Sequence, residues 1–516
     1  MGELVAFVSW STDFVSDLVK NSLLKSLPEV DITFLTSPEE VEALAASPPE
    51  AGLNILQWST YDVILHELTL RASLPPPPSA QELAHRKPLT SSLRILSSSY
   101  TIRKALIRKH FLHQQTFVNY LTKHPESPLT RAVPKTWSID IAFADELDEL
   151  WADELYDLGE LIDHGNENEP SMKWWILKPG MADRGMGIRL FRTRDELLQI
   201  FQSFEDDEPS EEEVESGDEI SKISDEDGNT RVSTSQLRHF VIQEYISTPL
   251  LLDPAEADIA GGAGSVKPAL GTGKKFHLRV YCVASGTLKV FFSPNILALF
   301  PAVPFKLPGE RTRSDPGHQQ RQTTADEDHQ SGAGTTSPEI NEIDLAPHLT
   351  NTCLQRDNPD TQGSVRLLSE LVGCTVYSEN PTWNGQKLTQ RDVDDIVNQV
   401  AIVLGETFTA ALASPVHFQP LPNAFELFGV DFLVSHGEDG KLTVSILELN
   451  AEPAIEMTGP RLGWILDELF YSIAKTCVRP YFSSSSEANA QEGWVIGETR
   501  DGLRKCLDVQ VRERGG

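Results

Sequence analysis

A chain of 516 residues with 40% hydrophobic side chains is long enough for roughly two to four domains and can bury a large core. Its 76 acidic and 44 basic residues leave a formal charge of -32, which argues against a general nucleic-acid binder, because neutralising phosphates takes a basic excess. Five cysteines without a CxxC pair point to neither a disulfide framework nor a zinc site. The absence of any run of about 18 apolar residues, and a start (MGELVAFVSW) without a basic region, point to neither a membrane span nor a signal peptide. A soluble cytoplasmic protein is the expectation.

Residues 1–95 read as alternating strand and helix: LVAFVSW, the amphipathic DFVSDLVKNSLLKSL, VDITFLTS, then NILQW and YDVILHEL. That pattern predicts a small α/β domain with parallel strands. A Pro-rich linker follows over 74–90, opening with LPPPP. A central domain over 96–170 opens with TIRKALIRKHFL (101–112), where Arg103, Lys104, Arg108 and Lys109 surround Leu106 and Ile107. This predicts an amphipathic helix with a solvated cationic face, the other reading being a face turned to phosphates or an acidic partner. Phe143, Leu147, Leu150, Trp151, Leu155, Leu158 and Ile162 recur at helical spacing and predict a packing helix.

From 171 to 480 the strands lengthen (MKWWILKP, GIRLF, HFVIQEYI, KFHLRVYCVA, TLKVFF), with polar inserts at 205–236, 253–273 and 309–340. Between 205 and 228 the first insert holds 13 acids and one lysine, so like-charge repulsion and a lack of apolar groups predict disorder. Residues 481–516, which open with the serine-rich YFSSSSEANAQEG, read as a poorly ordered tail.

Several stretches carry chemistry. In KWWILKPGMADRGMGIRLF (173–191), Lys178 ends an apolar strand and Gly180, Gly185 and Gly187 follow it. The spacing is not that of a P-loop, and a phosphate-covering loop and a plain hairpin turn are both open readings. In residues 425–459, two strand-like runs are joined by HGEDGK. Side chains two apart share a face, so Glu448 and Asn450 point one way and Leu447 and Leu449 into the core, with Asp431 on the facing strand. Two carboxylates and a carboxamide in an apolar hairpin suit a divalent cation, magnesium best among them, and edge-exposed acids without metal are the other reading. FVIQEYI (240–246) offers backbone groups and apolar walls for an adenine edge. KKFHLRVYC sets Lys275, His277 and Arg279 on one face as a cationic comb.

KPG…RGMGI, VIQEYISTPLLL, KFHLRVYCV, HLTN (348–351) and GVDFLV…ILELNAEP, in that order across residues 95–480, resemble the tubulin-tyrosine ligase family, in particular its fungal members. The resemblance implies an ATP-grasp fold of α/β and α+β type, two lobes clamping ATP, preceded by a small Rossmann-like α/β domain. It places Lys178 at the ATP phosphates and Arg184, Gly185 and Gly187 in a mobile loop above them. Gln243, Glu244, Tyr245 and Ile246 border the adenine, Lys275 reaches a phosphate, and Asn351 lies near the triphosphate. Arg279 faces the carboxylate of the amino acid or the transferred phosphoryl group, and Asp431, Glu448 and Asn450 hold magnesium, which makes Arg279 and Glu448 the implied catalytic pair.

The implied cofactors are ATP and Mg2+. The implied activity joins an amino acid to a protein substrate, tubulin at family level, through an acyl-phosphate. Three positions depart from the family pattern. His277 stands where the family has an acid, Ala298 about where it has an arginine for the amino acid, and Glu244 where lysine is common. The departures keep open an ATP-binding scaffold that has lost the amino-acid site and is associated, like some fungal relatives, with cytoplasmic ribonucleoprotein bodies. A small-molecule ligase is the third reading. Neither a membrane nor direct nucleic-acid contact is expected, and the residues do not speak to oligomeric state.

Overall fold

In the computed structural model of the protein, residues 3–47, 52–73, 93–168, 173–181, 185–206, 238–257, 272–309, 343–350, 364–437, 439–482 and 493–509 are described. The first four strands, Leu4–Phe7, Ile32–Leu35, Leu53–Gln57 and Leu93–Ser97, form an all-parallel sheet in the order second, first, third, fourth. All four residues of LVAF are buried, because helices cover both faces. Leu4 and Ala6 meet Val15, Val19 and Leu23 of the helix Asp13–Ser26, while Val5 and Phe7 meet Val41 and Leu68 on the opposite side.

A second sheet is antiparallel, in the order Thr136–Asp140, His239–Glu244, Trp175–Pro179, Arg189–Phe191. Trp175, Leu177, Phe240 and Ile242 pack on Leu158, Ile162, Leu197 and Phe201 of two helices. The strand pleat therefore turns Ile176, Lys178 and Gln243 to the other side.

The third sheet has eight strands centred on His277–Ser285, which pairs along its whole length with Phe425–His436, itself paired with Leu442–Ala451. Its other edge carries Leu297–Leu299 and Lys289–Phe292. Leu278, Val280, Cys282, Val430, Phe432, Ile446 and Leu449 pack against the helix Gln390–Leu412, which enters through Val393, Ile396, Val400 and Leu404. That helix is long and apolar enough to cross a membrane, and here its apolar stripe is the lid of this core. On the opposite face Tyr281, Val283, Leu297 and Leu299 meet the helix Gly463–Ile473 and the N-terminal domain. Past the edge of that cover, His277, Arg279 and Asp431 face the second sheet, and the cleft lies there.

Three expectations change. The tail 481–516 contains the strand Leu503–Asp508, paired with Lys289–Phe292. Leu503 and Cys506 are buried, and the buried Lys505 donates to the Trp494 carbonyl at 2.8 Å and pairs with Asp508. The central domain 96–170 is divided: Leu106, Leu112, Phe117 and Leu129 enter the core of the large sheet, whereas Thr136–Asp140 joins the second sheet. Finally, 101–112 is no single amphipathic helix. Its turns Lys104–Ile107 and Lys109–Phe111 break at Arg108 and lead into a π-helical stretch, Leu112–Val118. Arg103 is buried against Glu426. The expected linker 74–90 lies outside the described residues, as do nearly all of the inserts at 205–236 and 309–340. In the insert at 253–273, Asp253 and Pro254 are buried in a short turn.

Candidate functional site

The cleft between the second and third sheets encloses about 750 Å3, its open mouth included. Ile176, Lys178, Ile188, Gln243 and Tyr245 line one wall, and Lys275, His277, Asp431, Leu447 and Glu448 the other. Trp174, Ile176, Ile188, Leu190 and Tyr245 form an apolar cluster, packed by Phe305, Leu345 and Leu349 from the large lobe.

The hairpin brings the three expected oxygen-bearing side chains together. Asp431 stands opposite Glu448, and Gly429 opposite Asn450. The Asn450 amide Nδ2 donates at 3.3 Å to both Asp431 Oδ2 and Glu448 Oε1. Leu447 does not enter the core, because the register shifts between Asp431 and Phe432. The resulting bulge sends Ile446 and Leu449 to the core and turns Leu447 with Glu448 into the cleft.

These acids are not short of partners, which corrects the argument from unpaired carboxylates. Arg279 grips Asp431 through Nε and Nη2, the second at 2.9 Å, which commits that edge of the guanidinium. Lys109 Nζ lies 3.2 Å from Glu448 Oε2. Burial alone would push the Glu448 carboxyl up, but the Lys109 and Lys178 ammonium groups hold it well below the usual carboxylate range.

Two further cations converge here. Lys178 Nζ donates to Gln243 Oε1 at 2.7 Å. Lys275, 8% exposed, sits 4.6 Å from the centre of the Tyr245 ring and 3.4 Å from its hydroxyl. No carboxylate of the described residues lies within ion-pair distance of either. Burial, opposed by Glu448 and helped by Lys109, lowers Lys178 to about 8, and burial with the charge of Lys178 lowers Lys275 to about 7. Four cationic side chains thus face Asp431 and Glu448, with Glu244 at the cleft border beside Lys173, a surplus that a polyanion would offset.

His277 is 5% exposed; its Nδ1 meets Thr350 Oγ1, and its Nε2 has no hydrogen bond among the described residues and lies 3.8 Å from Asp431 Oδ1. Burial lowers its pKa, so the imidazole is neutral at pH 7. The Tyr245 hydroxyl meets His348 Nδ1 at 2.9 Å.

Gln243 uses its side chain on Lys178 and Thr136, the latter accepting from Nε2 at 3.1 Å. Its amide therefore positions the lysine rather than meeting a base. The Glu244 and Tyr245 amides donate to the Lys135 and Trp174 carbonyls at 2.8 and 2.9 Å. Glu244 and Ile246, at and just past the strand end, still border the cleft. Gly185 and Gly187 take φ of 81° and 68°, a region glycine enters without strain. Arg184 and Asn351 lie outside the described residues. Ala298 is not on the cleft side: it is fully buried in the core, and the register sets Leu299 opposite His277 and Leu297 opposite Arg279. Apolar side chains therefore stand where a basic one would reach the site.

Sequence reasoning assigned Lys109 no role in this site. Its segment left a solvated face and one turned to phosphates or an acidic partner both open, and its contact with Glu448 joins residues far apart in the chain. The tyrosine–histidine contact is equally long-range. Among the described residues no three His, Cys, Asp or Glu side chains cluster as metal ligands. Asp431, Glu448 and Asn450, once the amide turns its oxygen inward, supply a hard oxygen set instead. That set suits Mg2+, which takes few protein ligands and completes its shell with phosphate and water.

Comparison with known proteins agrees with this geometry. The tubulin-tyrosine ligase family profile matches residues 112–317 and 337–486. The chain is 36% identical over 408 residues to the probable tubulin–tyrosine ligase C12B10.04 of Schizosaccharomyces pombe, covering 78% of this chain and 82% of that one. It is also 36% identical over 399 residues to the probable tubulin–tyrosine ligase PBY1 of Saccharomyces cerevisiae, covering 77% of this chain but spanning only 44% of that protein's length. The crystal structure of the C-terminal domain of K. lactis Pby1, an ATP-grasp enzyme interacting with the mRNA decapping enzyme Dcp2, matches with a TM-score of 0.55 at 25% identity, covering 99% of this chain and 100% of that one. The architecture is accordingly that of an ATP-grasp protein, and the chain belongs to the tubulin-tyrosine ligase family.

Proposed function

We propose that the chain is an ATP- and Mg2+-dependent ligase that joins an amino acid to a protein through an acyl-phosphate. The observation that carries this reading is the convergence of Lys178 and Lys275, without carboxylate partners among the described residues, on a cleft lined by Asp431 and Glu448, to both of which Asn450 donates. Mg2+, held by those three side chains, would supply charge neutralisation at the γ-phosphate. Lys178 and Lys275 bind the phosphates, and Lys109 sits beside Glu448, where it can meet the terminal one. Arg279 orients Asp431. The apolar walls formed by Ile176, Ile188 and Tyr245 seat the base and keep water from the activated carboxyl until an amine displaces phosphate.

The acceptor is harder to match to tubulin. Of the four cations that one reading turned to phosphates or an acidic partner, Arg103 is buried and Lys109 pairs with Glu448 at the cleft. An acidic tail approaching a chain of charge -32 gains little steering from this segment.

A second reading is favoured by the strand Leu297–Leu299, which turns Ala298 into one core and packs Leu297 and Leu299 into another, so that it sets no basic side chain beside Arg279. In it the protein keeps the nucleotide site, has lost the amino-acid site, and serves the cytoplasmic mRNA-decay machinery as a scaffold, as the interaction of the K. lactis domain with Dcp2 suggests. Incubation with labelled ATP, Mg2+, a pool of amino acids and candidate acceptors, tubulin among them, separates the two. Release of ADP only with an acceptor supports the ligase, and tight ATP binding without turnover under any acceptor supports the scaffold.

A further inference from the structure

Glu452 follows the strand that carries Glu448 and Asn450, and it takes a φ of 52° although it is not glycine. This left-handed conformation is unfavourable for a residue with a Cβ, so something must hold it. Its Oε1 accepts the backbone amide of Tyr61 at 2.6 Å, across 391 residues of sequence. Tyr61 belongs to the N-terminal domain and is itself fixed. Its hydroxyl donates to the Thr101 carbonyl at 3.0 Å, and its carbonyl is met by His66 Nε2 at 3.1 Å.

The same tyrosine lies under Arg103, whose guanidinium carbon is 4.0 Å from the ring centre. Arg103 pairs with the buried Glu426, which also accepts the Tyr100 amide at 3.1 Å. Glu426 is on the strand that carries Asp431. The N-terminal domain and the segment after it therefore hold both strands of the hairpin, one through Glu426 and the other through Glu452.

Between the two strands, Gly429 admits Pro453, whose Cβ would lie 2.7 Å from any Cβ placed there. Nothing in the phosphate chemistry calls for Glu452, and no described residue of the N-terminal domain lines the cleft.

We propose that Tyr61 and Glu452 form a latch by which the N-terminal domain sets the spacing of Asp431, Glu448 and Asn450, making Glu452 a positioning residue for the metal. The inference rests on the Mg2+–ATP reading of the cleft. Outer partners of metal ligands are worth roughly 10–100-fold in metal affinity when removed. Because this carboxylate is exposed, the lower end applies.

The test is the Mg2+ concentration giving half-maximal ATP binding, measured by calorimetry on the full chain and on E452Q, E452A and E452G. E452A and E452G both lose the acceptor, and the glycine also relieves the strained φ; each should need about 10-fold more Mg2+. E452Q keeps an acceptor oxygen and should stay within about 3-fold. Wild-type Mg2+ dependence in E452G would show that backbone shape alone matters and would overturn the latch, as would wild-type behaviour in E452A. Absence of Mg2+-dependent ATP binding in the unaltered chain would overturn the metal reading and the latch together.

Discussion

Replacing Lys275 by methionine should move stability and affinity in opposite directions. The ammonium is 8% exposed, with the Tyr245 ring and hydroxyl as its neighbours, and burial brings its pKa from 10.5 to about 7. Each unit is worth about 1.4 kcal/mol; relaxation and water return part of that, leaving a penalty on the order of 1–3 kcal/mol in the protonated, nucleotide-free protein. The sign follows from proton counts. Between pH 7 and 10.5 the unfolded chain holds more protons at this group than the native one, so stability rises with pH across that window, and below it the full penalty applies.

K275M removes the penalty and should raise the melting temperature by a few degrees at pH 7 without ATP, with the alkaline rise diminished. The same change removes a charge-assisted phosphate contact of about 1.5–3 kcal/mol, so ATP should bind roughly 10–100-fold more weakly. Scanning fluorimetry with and without Mg2+–ATP, paired with calorimetry, reads both. Calorimetry at pH 8 in buffers of different ionisation enthalpy should also show proton uptake on ATP binding to the parent protein and less of it in K275M. A variant that is less stable without ATP, or that binds ATP within about twofold of the parent, refutes the assignment of Lys275 to a polyanion.

Other substitutions probe the hairpin and its supports. Glu448→Gln keeps the shape beside Lys109 and Asn450 but removes the charge. ATP binding should lose its dependence on Mg2+ and turnover should fall by at least about 100-fold, with circular dichroism unchanged; retained Mg2+ dependence would mean that the metal sits elsewhere. Gly429→Ala forces a Cβ to within 2.7 Å of Pro453 and 3.2 Å of the Arg279 side chain, so about 1–3 kcal/mol of stability should be lost in urea denaturation, along with Mg2+-dependent ATP binding. Arg103→Met leaves Glu426, 2% exposed, without its cation. It should cost about 3–5 kcal/mol, much of it recovered when Glu426→Gln is added, by the same denaturation measurement.

What could be read from residue order was the part encoded by alternation. Lys178 at the end of an apolar run, the shared face of Lys275, His277 and Arg279, and the meeting of Asp431 with Glu448 and Asn450 all follow from a period of two within single strands or one hairpin. What could not be read depends on a break in that period or on distant partners. One extra residue at Leu447 reverses its side without any glycine or proline to announce it. Ala298 against Leu297 and Leu299 is a matter of pairing register with another strand. Arg103, Lys109 and Lys505 look like solvent-facing charge because their counter-groups, Glu426, Glu448 and the Trp494 carbonyl, are supplied by tertiary structure. The strand Leu503–Asp508 is short and charged, and its pairing with Lys289–Phe292 on one side and Thr499–Arg500 on the other makes it one.

The strand His277–Ser285 is buried in the core through Leu278, Val280 and Cys282 and presents His277 to the cleft and Arg279 to Asp431 in its wall. A single-residue insertion or deletion within it would swap oil for charge on both sides at once. Chemical novelty at this site can therefore arise by exchanging one side chain for another, whereas a change in the strand's length needs a compensating bulge like the one at Leu447.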